Sequence, residues 1–224
     1  MEQATSLPGG GSKHQLHFPA TPGPVSLDRL SDEDRRVLRG LGCGRGRIVE
    51  VGTFIGGSAE CLLEGGGSIL CVDTFRGTDG TETVAVPRHV ALCYLLDRIG
   101  HCEERVSIVI SESLRAAEWV ADGFADLIFI DAAHDYVNCK ADIAAWLPKL
   151  KPDGLMAGHD YSKWRFDVDE DEFNRLSLLP IDDWTGVHFG VIRAVNEAFT
   201  QIDLHGNEDS TIWSAKPEWI RHGA

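Results

Sequence analysis

The chain has 224 residues, which is enough for one large α/β domain with a substantial core. Its hydrophobic fraction of 43% and its charged fraction of 25% are typical of globular proteins. The formal net charge of -14 argues against binding to nucleic acids or anionic membranes, because their phosphate groups would be repelled.

Cysteine usage and the N-terminal sequence bear on where the protein works. None of the six cysteines forms a C-x-x-C pair, so we expect free thiols and a cytoplasmic location. No apolar run is long enough to span a bilayer, and residues 1–26 lack the apolar stretch of a secretory signal. Their glycine, proline and serine content predicts a flexible arm or lid, followed by a single domain over residues 27–224.

Short apolar segments alternate with segments of helical periodicity through the first two thirds of the chain. This alternation predicts a parallel sheet that is covered by helices on both faces. The predicted strands are residues 47–52, 68–75, 105–110, 125–132 and 155–161, the last one preceded by a Pro-Asp-Gly turn at 152–154. The predicted helices are residues 31–42, 56–67, 86–100, 111–123 and 135–150. In the third of these helices, the i, i+3, i+4, i+7 spacing predicts a buried face made of Leu92, Leu95, Leu96 and Ile99.

The C-terminal part of the chain follows a different pattern. After a predicted helix at residues 189–199, two predicted strands at residues 200–206 and 211–216 are joined by only four residues. Such a short connection leaves no room for a crossover helix, so these two strands should be antiparallel. The sequence shows no internal repeat and no second domain.

A glycine-rich segment, VEVGTFIGGS at residues 49–58, joins the first strand to the helix behind it. Glycines let the backbone approach a ligand closely, and a helix N-terminus offers free N–H groups. The G-x-G-x-x-G pattern of dinucleotide-binding proteins is absent, and Glu50 suits a cationic amine better than a pyrophosphate. Asp73 ends the second strand, where it is either a ribose-binding acid or an ordinary exposed aspartate. Residues 111–113 would lie beside an adenine.

Acidic residues and histidines follow the fourth and fifth strands, in the phrases FIDAAHDY (129–136) and MAGHDY (156–161). Asp131 and Asp160 should open on the same crevice, where they would repel each other unless protonated or bridged by a cation such as Mg²⁺. His134 could act there as a general base. His134 is predicted to lie in the first turn of the following helix, facing the same pocket. The alternative is that Asp131 caps that helix and that His134 is a surface residue. Two such phrases at adjacent strand ends favour the functional interpretation.

These motifs resemble those of class I S-adenosylmethionine-dependent methyltransferases. The similarity is to small bacterial, metal-dependent O-methyltransferases with FIDAxHxY and GHDY phrases, and it covers residues 45–216. The resemblance implies a Rossmann-like, seven-stranded sheet that is mostly parallel, with a C-terminal antiparallel hairpin and helices on both faces. It also implies S-adenosylmethionine as cofactor, with Mg²⁺ or a similar divalent cation. The implied cofactor-binding residues are Glu50, Gly52, Thr53, Gly56, Gly57, Ser58, Asp73, Glu112, Ser113 and Asp131.

The resemblance also implies roles for the residues after the fourth and fifth strands. The implied metal ligands are Asp131, His159 and Asp160, and His134 would deprotonate the acceptor hydroxyl beside Asp131. Two positions depart from the family pattern. Phe54 stands where many relatives have a glycine, and His159 stands where metal-dependent relatives have a carboxylate or amide oxygen. Because histidine is a softer ligand, either Mg²⁺ binds more weakly or His159 is a second base or a substrate contact.

We therefore expect an O-methyltransferase that modifies a hydroxyl of a sugar or oligosaccharide, because the subgroup resembles sugar O-methyltransferases. A catechol or another natural product is the alternative acceptor, and a catalytically silent relative or a nicotinamide dehydrogenase is a rival of a different class. An insertion at residues 161–187 carries Trp164, Phe166 and Trp184, which could stack on the acceptor, pin the loop or line a subunit interface. A homodimer is expected because dimers are common among similar enzymes.

Overall fold

The computed structural model describes residues 30–76, 86–162, 168–179 and 187–221. The predicted arm at residues 1–26 lies outside the described residues, as do Trp164, Phe166 and Trp184. None of the helices in the described ranges is long and apolar enough to cross a bilayer.

Strands and helices alternate along the described residues as far as the fifth strand, as the sequence predicts. The strands are β1 (Arg47–Val51), β2 (Ser68–Asp73), β3 (Val106–Ile110), β4 (Ala125–Ile130), β5 (Leu150–Gly158), β6 (Asp203–Leu204) and β7 (Trp213–Ala215). The α-helices are α1 (Asp32–Gly42), α2 (Gly57–Glu64), α3 (Arg88–Ile99), α4 (Ser113–Glu118), α5 (Tyr136–Trp146), α6 (Glu170–Leu176) and α7 (Phe189–Ala198). Short 3₁₀ helices occupy Gly100–Arg105, Leu147–Lys149 and Pro217–Trp219.

The strands form one seven-stranded sheet in the order β3-β2-β1-β4-β5-β7-β6. The five strands from β3 to β5 pair in parallel, whereas β7 pairs antiparallel with both β5 and β6. This arrangement confirms the predicted fold, including the antiparallel C-terminal pair. The strand order reverses between β1 and β4, and ligands of open α/β sheets bind in the crevice at the carboxyl ends of the strands around such a reversal.

Helices cover both faces of the central strands. Successive side chains of a strand point to opposite faces, so neighbouring residues join different apolar clusters. In β1, Val49 and Val51 join the apolar cluster under α5 and α7, whereas Ile48 joins the cluster under α1, α2 and α3. Glu50 shares the second face with Ile48, so β1 carries an acid at a position where its neighbours are apolar. Glu50 is therefore a carboxylate that is fully buried in the sheet.

Helix α1 begins with a capping box that the sequence SDED encodes. The Ser31 hydroxyl accepts a hydrogen bond from the Asp34 amide, while the Asp34 carboxylate accepts one from the Ser31 amide. The other end of α1 lies against α2 so closely that a Cβ on Gly42 would stand 2.3 Å from the Leu62 carbonyl oxygen. The helix is thereby held across one face of the sheet, with Asp34 turned inward.

Two local predictions were wrong. In α3 the buried side chains include Ala91 and Tyr94 as well as Leu95 and Ile99, while Leu96 is 53% exposed. The helix is rotated by about one residue from the leucine pattern, since Leu95 packs against the start of α2 near Gly56.

The second wrong prediction concerns the fifth strand, which was expected to begin at residue 155. Strand β5 already begins at Leu150, and the Pro-Asp-Gly segment lies inside it at a shift of register between the Ala125 and Leu127 pairings. The predicted insertion at 161–187 contains helix α6, which was not predicted from the sequence.

Candidate active site

The turn from β1 to α2 runs close to the end of β4. Gly52 has φ +90°, and a Cβ there would stand 2.0 Å from the Asp131 carbonyl oxygen, so only glycine fits. Gly56 adopts the left-handed conformation as the N-cap of α2, and Gly57 and Ser58 begin that helix. The glycine-rich loop therefore brings the β1 and β4 ends of the crevice into direct contact.

Glu50 is fully buried at this turn, and neither carboxylate oxygen has a hydrogen-bond partner within the described residues. Burial raises the pKa of Glu50 to about 8, and the nearby hydroxyls of Ser58 and Thr53 offset this only in part. The Thr53 hydroxyl is also buried without a partner among the described residues. Unpartnered buried polar groups are costly, so the arrangement fits a ligand that carries a cationic amine.

Asp73, at the end of β2, organises the two loops beside it. One carboxylate oxygen accepts a hydrogen bond from the Phe54 amide at 2.7 Å, and the other accepts one from the Phe75 amide at 2.6 Å. Both phenylalanines have positive φ, 47° and 53°, a strained conformation that is found most often at functional sites. Burial raises the pKa of Asp73 above its usual value, and these backbone donors offset the rise only in part. Each carboxylate oxygen retains a second lone pair for a ribose hydroxyl.

Glu112 and Ser113 lie where β3 leads into α4, and Ser111 alone separates them from Ile110, the last residue of β3. Glu112 is exposed at the N-cap position of α4. The Ser113 hydroxyl accepts a hydrogen bond from the Trp146 indole at 2.8 Å, which turns it toward α5. Of these two predicted adenine neighbours, Ser113 therefore already uses its hydroxyl within the protein.

The structure brings the predicted metal ligands together. One ligand atom each from Asp131, His159 and Asp160 lies within 4.8 Å of the others. His159 Nδ1 stands 3.1 Å from Asp160 Oδ1 and 4.0 Å from Asp131 Oδ1. Two carboxylates and one imidazole at these separations could hold a divalent cation, and we call these three residues the DHD group.

His134 faces the same space. Its Nε2 lies 3.0 Å from Asp160 Oδ2 and 3.8 Å from Asp131 Oδ1. The residue precedes α5 rather than lying in its first turn, because Asp135 is the N-cap and accepts a hydrogen bond from the Asn138 amide. The alternative interpretation of Asp131 as the helix cap is therefore wrong.

Charge is balanced inside the site by alternation of carboxylates and imidazoles. Burial raises the pKa of Asp160, but the charges of His159 and His134 hold it well below its usual range. Burial lowers the pKa of His159, but Asp160 and Asp131 hold it well above its usual range. Asp160 also has φ +66°, and its amide donates to the Thr211 hydroxyl at 3.1 Å. This second strained region again coincides with the crevice.

Sequence reasoning missed two residues of the site. His188, the N-cap of α7, places its ring 4.4 Å from that of His134 and its Nε2 3.5 Å from Asp160 Oδ1. It arrives there because α7 lies against the start of α5, where a Cβ on Gly190 would stand 2.5 Å from the Tyr136 amide nitrogen. No spacing in the sequence signals this contact.

The second missed residue is Asp34 of α1, whose Oδ2 lies 3.4 Å from His159 Nε2. Burial raises the pKa of Asp34, but hydrogen bonding and the charge of His159 bring it to about 2. The capping-box pattern was visible in the sequence, but nothing there indicated that the same carboxylate faces the site.

Comparison with solved structures shows similar folds. Cofactor-bound Rv0187 from MTB is 20% identical with a TM-score of 0.59, over 85% of this chain and 83% of that one. SAH-bound methyltransferase PaMTH1 of Podospora anserina is 16% identical with a TM-score of 0.54, over 84% and 76% of the two chains. An O-methyltransferase family protein from Burkholderia thailandensis is 12% identical with a TM-score of 0.51, over 81% and 54%. At these identities the similarity concerns the fold.

Sequence comparison identifies the family. The uncharacterized protein y4gI of Sinorhizobium fredii is 29% identical over 125 residues, and the match spans 51% of this chain but only 13% of that longer protein. The profile of a family described as "Methyltransferase domain" matches residues 49–161, half of the 224 residues, and this range contains Glu50, Asp73, Asp131 and Asp160. The chain therefore belongs to the methyltransferase domain family.

Proposed function

We propose that the protein is an S-adenosylmethionine-dependent O-methyltransferase that requires Mg²⁺ or a similar divalent cation and methylates a hydroxyl of a sugar or oligosaccharide. The observation that carries the proposal is the contact between two half-sites. Glu50 is a buried acid with no hydrogen-bond partner among the described residues, and the DHD group is a set of side chains that could bind a metal. They lie at the ends of adjacent strands and come together where Gly52 meets Asp131.

The first half-site fits the cofactor. Glu50 would bind the amino group of the methionine part, since an ammonium group supplies the charge and the hydrogen-bond donors that the buried carboxylate does not find among the described residues. Asp73 would bind the ribose hydroxyls with the lone pairs that Phe54 and Phe75 leave free. The cofactor supplies an electrophilic methyl group on a positive sulfur, so the new O–CH₃ bond forms as the S–CH₃ bond breaks and its electron pair stays on sulfur.

The second half-site fits the cation and the acceptor. Asp131 and Asp160 would hold the cation, whose charge would orient one or two hydroxyls of the acceptor and lower their pKa. His134 would take up the hydroxyl proton, because its Nε2 faces the same space as both carboxylates. The main contribution of the protein is alignment of the hydroxyl oxygen with the methyl carbon.

The sugar acceptor is supported by the FIDAxHxY and GHDY phrases, and the experiment that tests it is a product survey. The protein would be incubated with S-adenosylmethionine and Mg²⁺ over a panel of saccharides and catechols, and methyl addition would be followed by mass spectrometry. We expect a methylated saccharide that disappears when a chelator is added and in the Asp131→Ala variant. A methylated catechol would overturn the acceptor, and turnover that survives both the chelator and Asp131→Ala would overturn the role of the cation.

A further inference from the structure

His159 lies between two groups of carboxylates. Its Nε2 is 3.4 Å from Asp34 Oδ2, and its Nδ1 is 3.1 Å from Asp160 Oδ1 and 4.0 Å from Asp131 Oδ1. The two nitrogens of an imidazole point away from each other. One therefore faces helix α1 while the other faces the remaining members of the DHD group.

Asp34 is placed for this contact by several elements. Its side chain is only 3% exposed, although residues of a helical capping box usually lie at the surface. The Ser31 hydroxyl donates to Oδ2 at 2.8 Å, and the Thr211 amide lies 3.4 Å from Oδ1. The Thr211 hydroxyl in turn accepts from the Asp160 amide. Asp34 thus joins the start of α1 to the end of β5 and to the segment that leads into β7.

Burial of an ionised carboxylate is costly unless a partner group lies beside it, and His159 is such a partner for Asp34. His159 Nε2 has no aligned hydrogen bond among the described residues, and Asp34 Oδ2 lies 3.4 Å from it. In metalloproteins, a histidine that binds the metal through one nitrogen almost always donates its other N–H to a carboxylate or carbonyl. The Asp34 carboxylate stands on the Nε2 side of His159 at 3.4 Å, and Nδ1 is turned toward the other members of the DHD group.

We propose that Asp34 is a positioning residue that makes His159 an Nδ1 metal ligand, and that the cation is consequently a transition metal such as Mn²⁺, Co²⁺ or Zn²⁺ rather than Mg²⁺. The proposal rests on the cation site of the proposed function and refines it. Two ligands of one cation at ~2.1 Å stand about 3.0 to 4.2 Å apart, and both Nδ1 distances fall in this range. Imidazole nitrogen is a preferred ligand of transition metals, whereas Mg²⁺ prefers oxygen.

A competing ligand set exists beside this one. His134, His188 and Asp160 also bring ligand atoms within 4.8 Å of one another. Their two imidazoles are more exposed, at 28% and 24% compared with 13% for His159. We favour His159 because a buried carboxylate lies behind its ring and because it leaves His134 available as the base.

The test measures binding of metal alone to the full chain. Isothermal titration with CoCl₂, MnCl₂ and MgCl₂ should give at least ~10-fold tighter binding of Co²⁺ than of Mg²⁺. Asp34→Asn should weaken Co²⁺ binding by about 10- to 100-fold and alter the visible spectrum of bound Co²⁺. The matched control is Ser31→Ala, which removes the same helix cap without touching His159. It also removes one hydrogen bond to Asp34 but keeps the carboxylate beside His159, so it should lower the melting temperature and weaken Co²⁺ binding less than Asp34→Asn does.

Each outcome decides between the alternatives. Equal Co²⁺ affinity in Asp34→Asn and Ser31→Ala would overturn the positioning role, and equal or tighter binding of Mg²⁺ would overturn the choice of metal even if the Asp34 variant fails to fold. His159→Ala should lose Co²⁺ binding and His188→Ala should keep it; the reverse would assign the metal to the competing set. Titration with S-adenosylhomocysteine tests the proposed function separately. If this compound does not bind the wild-type protein, the proposed S-adenosylmethionine-dependent activity is wrong.

Discussion

Replacement of Glu50 by glutamine should stabilise the ligand-free protein and weaken its binding of cofactor. The carboxylate is fully buried and has no hydrogen-bond partner within the described residues, and burial raises its pKa from a usual 4.5 to about 8. Between these two values the unfolded chain releases the Glu50 proton while the folded chain keeps it. The unfolded state therefore binds fewer protons, and the free energy of unfolding falls as the pH rises.

The size of the effect follows from the two pKa values. Each unit between 4.5 and 8 corresponds to about 1.4 kcal/mol, so the wild-type protein loses up to about 5 kcal/mol between acid pH and pH 8. Glutamine cannot ionise and loses none of this. The variant should thus match the wild type below pH 4.5 and exceed it increasingly up to pH 8, which denaturant unfolding at pH values of about 5, 7 and 9 would measure.

The same substitution should weaken S-adenosylhomocysteine binding about 10- to 100-fold, because a charge-assisted hydrogen bond to the amino group is lost. Asp142→Asn is a matched control for the pH window. Asp142 is a second buried carboxyl whose pKa is raised by burial to about 6. The gain in unfolding free energy of Asp142→Asn over the wild type should therefore level off above that pH. A Glu50→Gln stability difference that does not change with pH, or unchanged ligand affinity, would refute the reasoning.

Three further predictions concern the loop and the catalytic groups. His134→Gln should retain S-adenosylhomocysteine affinity and lower the single-turnover rate constant by about 10²- to 10⁴-fold. An unchanged rate constant would show that His134 is not the base. Asp131→Ala should abolish cation-dependent turnover in the mass-spectrometric assay while cofactor affinity, followed by titration, stays within a few-fold of wild type. Gly52→Ala should cost about 3 kcal/mol or more of unfolding free energy, because its Cβ would meet the Asp131 carbonyl oxygen. The control is Gly66→Ala, which has φ +99° but no atom within 4 Å of the added Cβ, so its smaller cost isolates the backbone strain.

The fold could be predicted because its strands must be apolar on both faces. Nearly continuous apolar segments such as residues 125–130, repeated in alternation with helices, are typical of a parallel sheet with helices on each side. The antiparallel end of the sheet followed from the short connection between β6 and β7, which cannot hold a helix. The face of α3 could not be predicted in the same way. Leu96 continues the apolar pattern of the helix yet is exposed, since the contact of Leu95 with the start of α2 sets the rotation.

The centre of the site could be predicted for a related reason. Parallel strands deliver their last residues to one edge of the sheet, so Asp131 and Asp160 were expected near each other without any knowledge of packing. Asp34 and His188 come from helices on the two faces of the sheet instead. They reach the site only because α1 lies against α2 and α7 lies against α5, and such contacts leave no regular spacing in the sequence.

The way in which the site balances its charge connects the sequence to the proposed chemistry. A chain with a net charge of -14 places buried acids on one edge of its sheet, where like charges repel. The two halves of the edge compensate differently: Glu50 holds a proton at neutral pH, whereas Asp34 and Asp160 stay ionised beside the imidazole of His159. In the first half, an ammonium group from a ligand can take the place of the proton. In the second half, a metal cation can take the place of the proton on His159. In the proposed function both ligands would enter by displacing a proton, and this would account for the buried acids at this edge of the sheet.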